Sequence, residues 1–215
     1  MKIGILGAGG VGQALGVGFA ASGHDVRLGT RRTGDAKLEQ WARTAGAHAS
    51  IGSFAEAAAF ADVAVVATAW AGTENALRLA GPSALAGKVV VDVTNPLVMA
   101  PNAPPRLAVG LSDSAGEQIQ RWLPEAKVVK AFNTVGGPHM YKPAFPGGPP
   151  DMFICGNDGT AKQRVAEICQ TFGWGVVDIG GIEGARYLEP LAMVWVAYGL
   201  RTNTWNHAFK LLKAA

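Results

Sequence analysis

Lys2-Ile3-Gly4-Ile5-Leu6-Gly7-Ala8-Gly9-Gly10-Val11-Gly12 opens the chain and decides its fold. An apolar strand runs into a G-x-G-x-x-G, and a small-residue helix from Gln13 to Ser22 follows. Each glycine has a mechanical role in a dinucleotide-binding turn. Gly7 permits the tight exit from the strand, Gly9 lets a pyrophosphate approach bare backbone, and Gly12 lets the helix pack closely on the sheet. The helix then aims its free N–H groups at the phosphates, with Ala8, Gly10 and Val11 completing the loop. Gly23-His24 ends the helix, and Asp25 to Thr30 supplies a second strand. The β-α-β unit closes within about 30 residues, the length such a unit needs.

The residues after that second strand indicate which dinucleotide. A site for NAD usually carries an acid there to accept hydrogen bonds from the ribose 2′-hydroxyl. This chain has Thr30-Arg31-Arg32 and no acid before Asp35. A hydroxyl and two guanidiniums suit a 2′-phosphate, because Arg binds phosphate oxygens bidentately. NADP(H) is therefore the expected cofactor; the alternative is a pair of solvated surface arginines.

Downstream, strands and helices alternate, which predicts a Rossmann-type α/β fold: a doubly wound, mostly parallel sheet. Helices are expected at Ala36–Ala45, Phe54–Phe60, Thr73–Ala80, Ser114–Leu123 and Thr160–Phe172. Strands are expected at Ala47–Ser50, Asp62–Ala67, Lys88–Val93, Lys127–Phe132, Asp151–Cys155 and Trp174–Ile179. Residues 94–113 hold four of the twelve prolines and read as a long loop near the active face. The Gly/Pro-rich stretch Gly136–Pro150 reads as a loop that crosses an edge or wraps that face. Residues 184–213 read as mostly helical, with the strong helix starting near Glu189 because Pro190 suits a first turn. Two units follow: 1–180 as the nucleotide-binding domain and 181–215 as a C-terminal helical appendage.

Composition narrows the partners. The 215 residues are 49% hydrophobic with 29 glycines, enough for one substantial core built on close helix–sheet packing. The formal net charge of +3 is dispersed apart from Arg31-Arg32, which favours a small anionic ligand over nucleic acid. No signal peptide is evident at Met1-Lys2, and the apolar run Leu191–Leu200 is too short to span a bilayer. Cys155 and Cys169 read as reduced, partly buried thiols of a cytoplasmic protein.

In an open α/β sheet, ligands lie over the carboxyl ends of the strands. The candidate site residues are therefore the glycine loop, then Thr68-Ala69-Trp70, then Asn95-Pro96-Leu97, then Asn133-Thr134-Val135-Gly136-Gly137. Trp70 either covers the nucleotide or packs under a loop; Asn95-Pro96 either contacts ligand or only ends a strand. The set holds no Ser-His-Asp arrangement, no metal-ligand cluster and no paired carboxylates. His139 is the one histidine in a ligand loop and the one candidate proton donor; His24, His48 and His207 read as surface or structural. So neutral a set suits hydride transfer between two stacked rings, which needs proximity more than a protein acid or base.

With these segments in view, the chain resembles the NADP oxidoreductases that depend on the deazaflavin coenzyme F420. The same module occurs as the reductase domain of the STEAP metalloreductases. The resemblance rests on Ile5 to Gly12, Leu28 to Arg32, Asp92 to Leu97, Val128 to Val135 and Ala185 to Leu191. It implies NADP(H) in the glycine loop, with Thr30 and Arg31 on the 2′-phosphate. It further implies F420, FMN or FAD stacked on the nicotinamide near Asn95, Asn133 to Gly137 and the C-terminal helix, and a homodimer paired through that helix. The chain departs from archaeal members at Asn133, where they carry His, and at Ala192, where they carry Thr. Alternatives are an NADPH-dependent reductase of a small carbonyl or imine, and a non-catalytic NADP sensor.

Overall fold

The computed structural model describes residues 1–100 and 103–214. Residues 101, 102 and 215, in the expected proline-rich loop and at the end of the C-terminal segment, lie outside the described residues. Strand β1 (Lys2–Leu6) leads into α1 (Gly10–Ala21), β2 (Asp25–Gly29), α2 (Ala36–Ala45), β3 (Ala49–Gly52) and α3 (Phe54–Phe60). Then follow β4 (Val63–Val66), α4 (Thr73–Ala80), β5 (Val89–Asp92), and a small antiparallel hairpin of β6 (Leu97–Val98) and β7 (Arg106–Leu107). The chain continues through α5 (Ala115–Trp122), β8 (Lys127–Lys130), β9 (Asp151–Gly156), α6 (Gly159–Thr171), β10 (Gly175–Asp178) and α7 (Ala185–Thr202).

Eight strands form one sheet in the order β10-β9-β8-β5-β4-β1-β2-β3. The chain winds outward from β1 through β2 to β3, then returns to place β4 on the other side of β1. That reversal opens a crevice beyond Leu6 and Val66, where such sheets hold their ligands. Both faces are covered. Ile3, Ile5, Val26 and Leu28 pack with Leu15, Phe19, Trp41 and Phe172 on one side. Leu6, Ala64, Val66 and Val90 pack with Phe54, Leu77, Ile119 and Leu188 on the other. β4 is buried throughout, as befits an interior parallel strand.

Several expectations shift. Within the eight-stranded sheet, pairing is parallel except between β8 and β9, where Val129 faces Gly156 and Lys130 faces Cys155. The cause is the link: residues 131–150 hold no crossover helix, so the chain turns back at the same end of the sheet and β9 must run antiparallel. Helix α6 then crosses normally and returns β10 parallel to β9. α1 begins at Gly10 rather than Gln13, and β3 runs two residues later than expected. The stretch 94–113 is not all loop, since it carries the β6–β7 hairpin.

The C-terminal expectation needs the largest correction. α7 starts at Ala185, so Pro190 is its sixth residue and not part of its first turn. Pro190 is exposed, and its missing N–H leaves the Arg186 carbonyl without its usual helical donor. The helix ends at Thr202, not near residue 213, with Asn203 in the left-handed conformation at φ 51°. Beyond it the chain has no regular structure but is tied down. Trp195 Nε1 donates to His207 O (2.9 Å), and Asp151 N donates to Phe209 O (2.9 Å). Among the described residues no helix is long and apolar enough to cross a membrane.

Candidate functional site

A cleft of about 650 Å³ lies over the ends of β1, β2 and β4. Gly7 sits where β1 and β4 end together, at φ +131°. A side chain there would run into the Ala67 carbonyl, and one at Gly12 into the Gly7 carbonyl. Those two glycines are thus demanded by the fold itself. Gly9 and Gly10 differ, because a Cβ on either meets nothing within 4 Å. Their bareness leaves open space over the start of α1, the cradle a pyrophosphate would fill. Gln13 Nε2 donates to Ala8 O (2.9 Å) and pins the loop from the first turn of α1.

The far end of the cleft is cationic. Thr30 Oγ1 accepts from Arg32 N (3.1 Å), a turn that presents Arg31 and Arg32 side by side. Lys37 lines the same end. Asp35 also faces the cleft, but its carboxylate caps α2 through Lys37 N (2.9 Å) and lies 3.5 Å from Arg32. Three cations against one engaged carboxylate suit a bound phosphate, and the residues present fit NADP(H). Lys37 and Gln13 were missed in the sequence; their only signal is position, each just inside a helix that follows a nucleotide-facing turn.

Thr68 and Ala69 line the cleft, and Thr68 Oγ1 lies 2.8 Å from the buried Thr73 Oγ1. Trp70 does not join them. Its ring stacks on Trp122 of α5, with centroids 5.5 Å apart and 22° between planes. It opens the short 3₁₀ turn Trp70–Gly72 and is not among the residues lining the cleft.

At the ends of β5 and β8 the remaining candidates form a second cluster. Asn95 Nδ2 donates to Asn133 O (2.8 Å), and Asn133 Nδ2 donates to Asn95 Oδ1 (3.1 Å) and Leu188 O (2.8 Å). Asn133 Oδ1 is buried without a hydrogen-bond partner among the described residues. Pro96, Thr134 and Val135 are buried supports rather than exposed contacts, and Leu97 belongs to β6. Gly136 packs under the Trp195 ring, while Gly137 lies beside Ala14 and the Gly10 carbonyl. These two glycines join the second cluster to the glycine loop. His139 is elsewhere: its Nε2 lies 3.1 Å from Asn206 Oδ1 and its ring packs on Phe145. Those contacts are structural and link it to neither amide.

Beneath the amide pair lies a feature the sequence reading missed. Lys130, 0% exposed, donates to Asp92 Oδ2 (2.6 Å), Thr94 O (2.9 Å) and Glu189 Oε1 (3.0 Å). Asp92 Oδ1 accepts from Thr94 N and Thr94 Oγ1. Glu189 accepts from Ala115 N (3.0 Å) and Gly116 N (3.1 Å) at the start of α5. This node lies outside the strand-end loops in which no paired carboxylates were expected: one carboxylate from β5 and one from α7 face a single ammonium, all buried. Burial alone would lower Lys130, but the flanking carboxylates hold its pKa above the ordinary lysine value. Burial pushes Glu189 up, against the pull of Lys130. All three fall in the segments that carry the family resemblance, each a lone charge in an apolar stretch, but Asp92 and Glu189 are 97 positions apart and nothing local pairs them.

Phe132, between Lys130 and Asn133, is left-handed at φ +58° and buried. Such strain in a bulky residue persists only where packing over-determines it, and it concentrates near functional sites. Phe132 N points at Met152 Sδ (3.0 Å), so the turn is held from β9. Cys155, opposite Lys130 across β8 and β9, has its thiol pushed up to about 12 by burial, and burial raises Cys169 as well. Neither is a nucleophile at neutral pH.

Comparison with known proteins agrees with this geometry. Residues 2–96 match the family described as NADP oxidoreductase, coenzyme F420-dependent. A crystal structure from Arthrobacter sp. FB24, described as a candidate F420-dependent NADP-reductase, is 40% identical with a TM-score of 0.92. That match covers 99% of this chain and 100% of the other. The F420-dependent NADP reductase of Methanocaldococcus jannaschii is 32% identical over 54% of this chain and 53% of its own length. The rat metalloreductase STEAP3 is 31% identical over 89% of this chain but only 36% of its own length. The chain thus spans about a third to a half of these two curated relatives. With a full-length match to the Arthrobacter structure and an NADP cleft in place, the chain belongs to the coenzyme F420-dependent NADP oxidoreductase family.

Proposed function

We propose that this protein moves a hydride between NADP(H) and a deazaflavin or flavin held face to face with the nicotinamide. Gly9 and Gly10 take the pyrophosphate, while Thr30, Arg31 and Arg32 take the 2′-phosphate. Asn95, Asn133, Gly136 and Gly137 form the shelf under the reacting rings. NADP(H) supplies the hydride chemistry; the chain supplies orientation and excludes water. Asn133 holds Leu188, and hence α7, against the shelf. Trp195 closes the far side over Gly136, which supports assigning the C-terminal segment to the second ring's pocket.

One observation carries the reading. Among the described residues, Asp92 and Lys130 at the ends of β5 and β8 are buried and paired, so the shelf there offers amides and glycines rather than a free acid or base. Reducing a carbonyl or imine needs a proton donor at the acceptor atom, whereas transfer between rings relies on proximity. A homodimer through α7 belongs to the same proposal. Tyr187, Val194 and Tyr198 project from one helix face at 72%, 57% and 52% exposure.

The test follows NADPH at 340 nm with purified protein and, in turn, F420, FMN, FAD and a cyclic imine. Turnover with a deazaflavin or flavin is expected. Tight NADPH binding with turnover only on the imine, or on none, overturns the proposal.

A further inference from the structure

The Asp92–Lys130–Glu189 node carries two carboxylates and one ammonium, an excess of one negative charge inside the fold. Three N–H donors converge on Glu189, from Lys130, Ala115 and Gly116, and among the described residues its carboxylate donates to no acceptor. Its hydrogen bonding is that of an ionised carboxylate. The neighbouring Glu117–Arg186 pair, which also joins α5 to α7, adds no net charge. The Cys155 thiol stays neutral. The positive end of α5, worth roughly half a charge, reduces the excess without cancelling it.

This charge lies under the reacting end of the site. Asp92 and Lys130 close their strands, and Asn95 and Asn133 follow each by three residues. Three residues of chain span at most about 10 Å. The two redox forms of the nicotinamide differ in charge at that place. Loss of hydride, one proton with two electrons, passes both electrons to the second ring and leaves the nicotinamide ring with one positive charge.

We propose that the buried node selects the redox state of the nucleotide, favouring the cationic oxidised ring over the neutral reduced one and so drawing the hydride toward the second substrate. The inference rests on the placement of the nicotinamide against the Asn95–Asn133 shelf proposed above. A unit charge about 10 Å away, at an effective dielectric of about 20, changes affinity on the order of ten-fold. The end of α5 is common to wild type and variant, so removing the charge reads out this full effect.

The experiment measures Kd for NADP+ and for NADPH by titration calorimetry, at fixed ionic strength, on the wild-type chain and on Glu189→Gln and Glu189→Asp. The ratio of Kd for NADP+ to Kd for NADPH is expected to rise about ten-fold in Glu189→Gln. It should stay within about two-fold of wild type in Glu189→Asp, which keeps the charge. Asp92→Asn removes the same charge from the other side and gives the same readout should the Gln variant not fold. A ratio unchanged in a folded, charge-removed variant that binds both forms overturns the node's role alone. A wild-type chain that binds neither form overturns the nucleotide placement, and the node's role with it.

Discussion

Replacing Lys130 with Met tests whether the buried node is ionic. The side chain is 0% exposed and gives all three of its protons to Asp92, Thr94 and Glu189. Methionine fills much of the volume but returns none of those contacts, and Asp92 and Glu189 then face each other as buried carboxylates. Each keeps two other donors, Thr94 N and Thr94 Oγ1 for Asp92, Ala115 N and Gly116 N for Glu189. The local structure therefore survives while the charges go uncompensated. Breaking a buried pair from one side costs about 3–5 kcal/mol, which in a chain of this size lowers Tm by roughly 6–20 °C. Guanidinium unfolding gives the free energy, and an unchanged m-value confirms that the variant unfolds from the same fold. The neutral triple variant Asp92→Asn/Lys130→Met/Glu189→Gln should recover most of the loss, because the cost arises from unpaired charge and not from lost volume. A loss below about 1 kcal/mol for Lys130→Met would show that one carboxylate already carries a proton, and would refute the ionic description.

Two further outcomes follow from single contacts. Gly7→Ala places a methyl against the Ala67 carbonyl at φ +131° and should destabilise the fold by more than about 2 kcal/mol. Gly9→Ala meets open space and should shift stability by less than about 1 kcal/mol while weakening NADPH binding at least ten-fold; calorimetric melts and titrations separate the two. Arg121 beside Asp113 (2.8 Å) holds that carboxyl at about 2, below its ordinary 3.8. A depressed acid stabilises above its unfolded value, so the pair's contribution is complete above about pH 3.8 and disappears as pH falls through about 2. With Arg121 58% exposed it amounts to less than about 1 kcal/mol. Arg121→Ala should raise the Asp113 titration midpoint in a carboxyl NMR titration; an unmoved midpoint would contradict the assignment.

The parts legible in the sequence were those fixed locally. A valine run reads as a buried parallel strand, and a glycine loop between strand and helix reads as a phosphate cradle, because backbone geometry and residue type decide them within a few positions. The rest depended on distant partners. Trp70 stacks on Trp122, 52 positions away, rather than lining the cleft. Asp92, Lys130 and Glu189 met only because α7 packs over the carboxyl ends of the neighbouring strands β5 and β8. The direction of β9 rested on a missing crossover helix, which composition signals only weakly. Apolar residues past Thr202 looked helical but pack as an extended tail, with Trp205 over Gly199 and His207 stacked on Trp195.

The cationic end of the cleft is the element on which the nucleotide reading turns. Its most direct test is the dissociation constant for NADPH and for NADH, measured on the wild-type chain and on Arg31→Glu. Wild type should bind NADPH at least ten-fold more tightly than NADH, and the variant should lose that preference by weakening NADPH while leaving NADH nearly unchanged. Equal affinity in wild type, or an equal loss for both nucleotides, would contradict the placement of a 2′-phosphate at Thr30, Arg31 and Arg32.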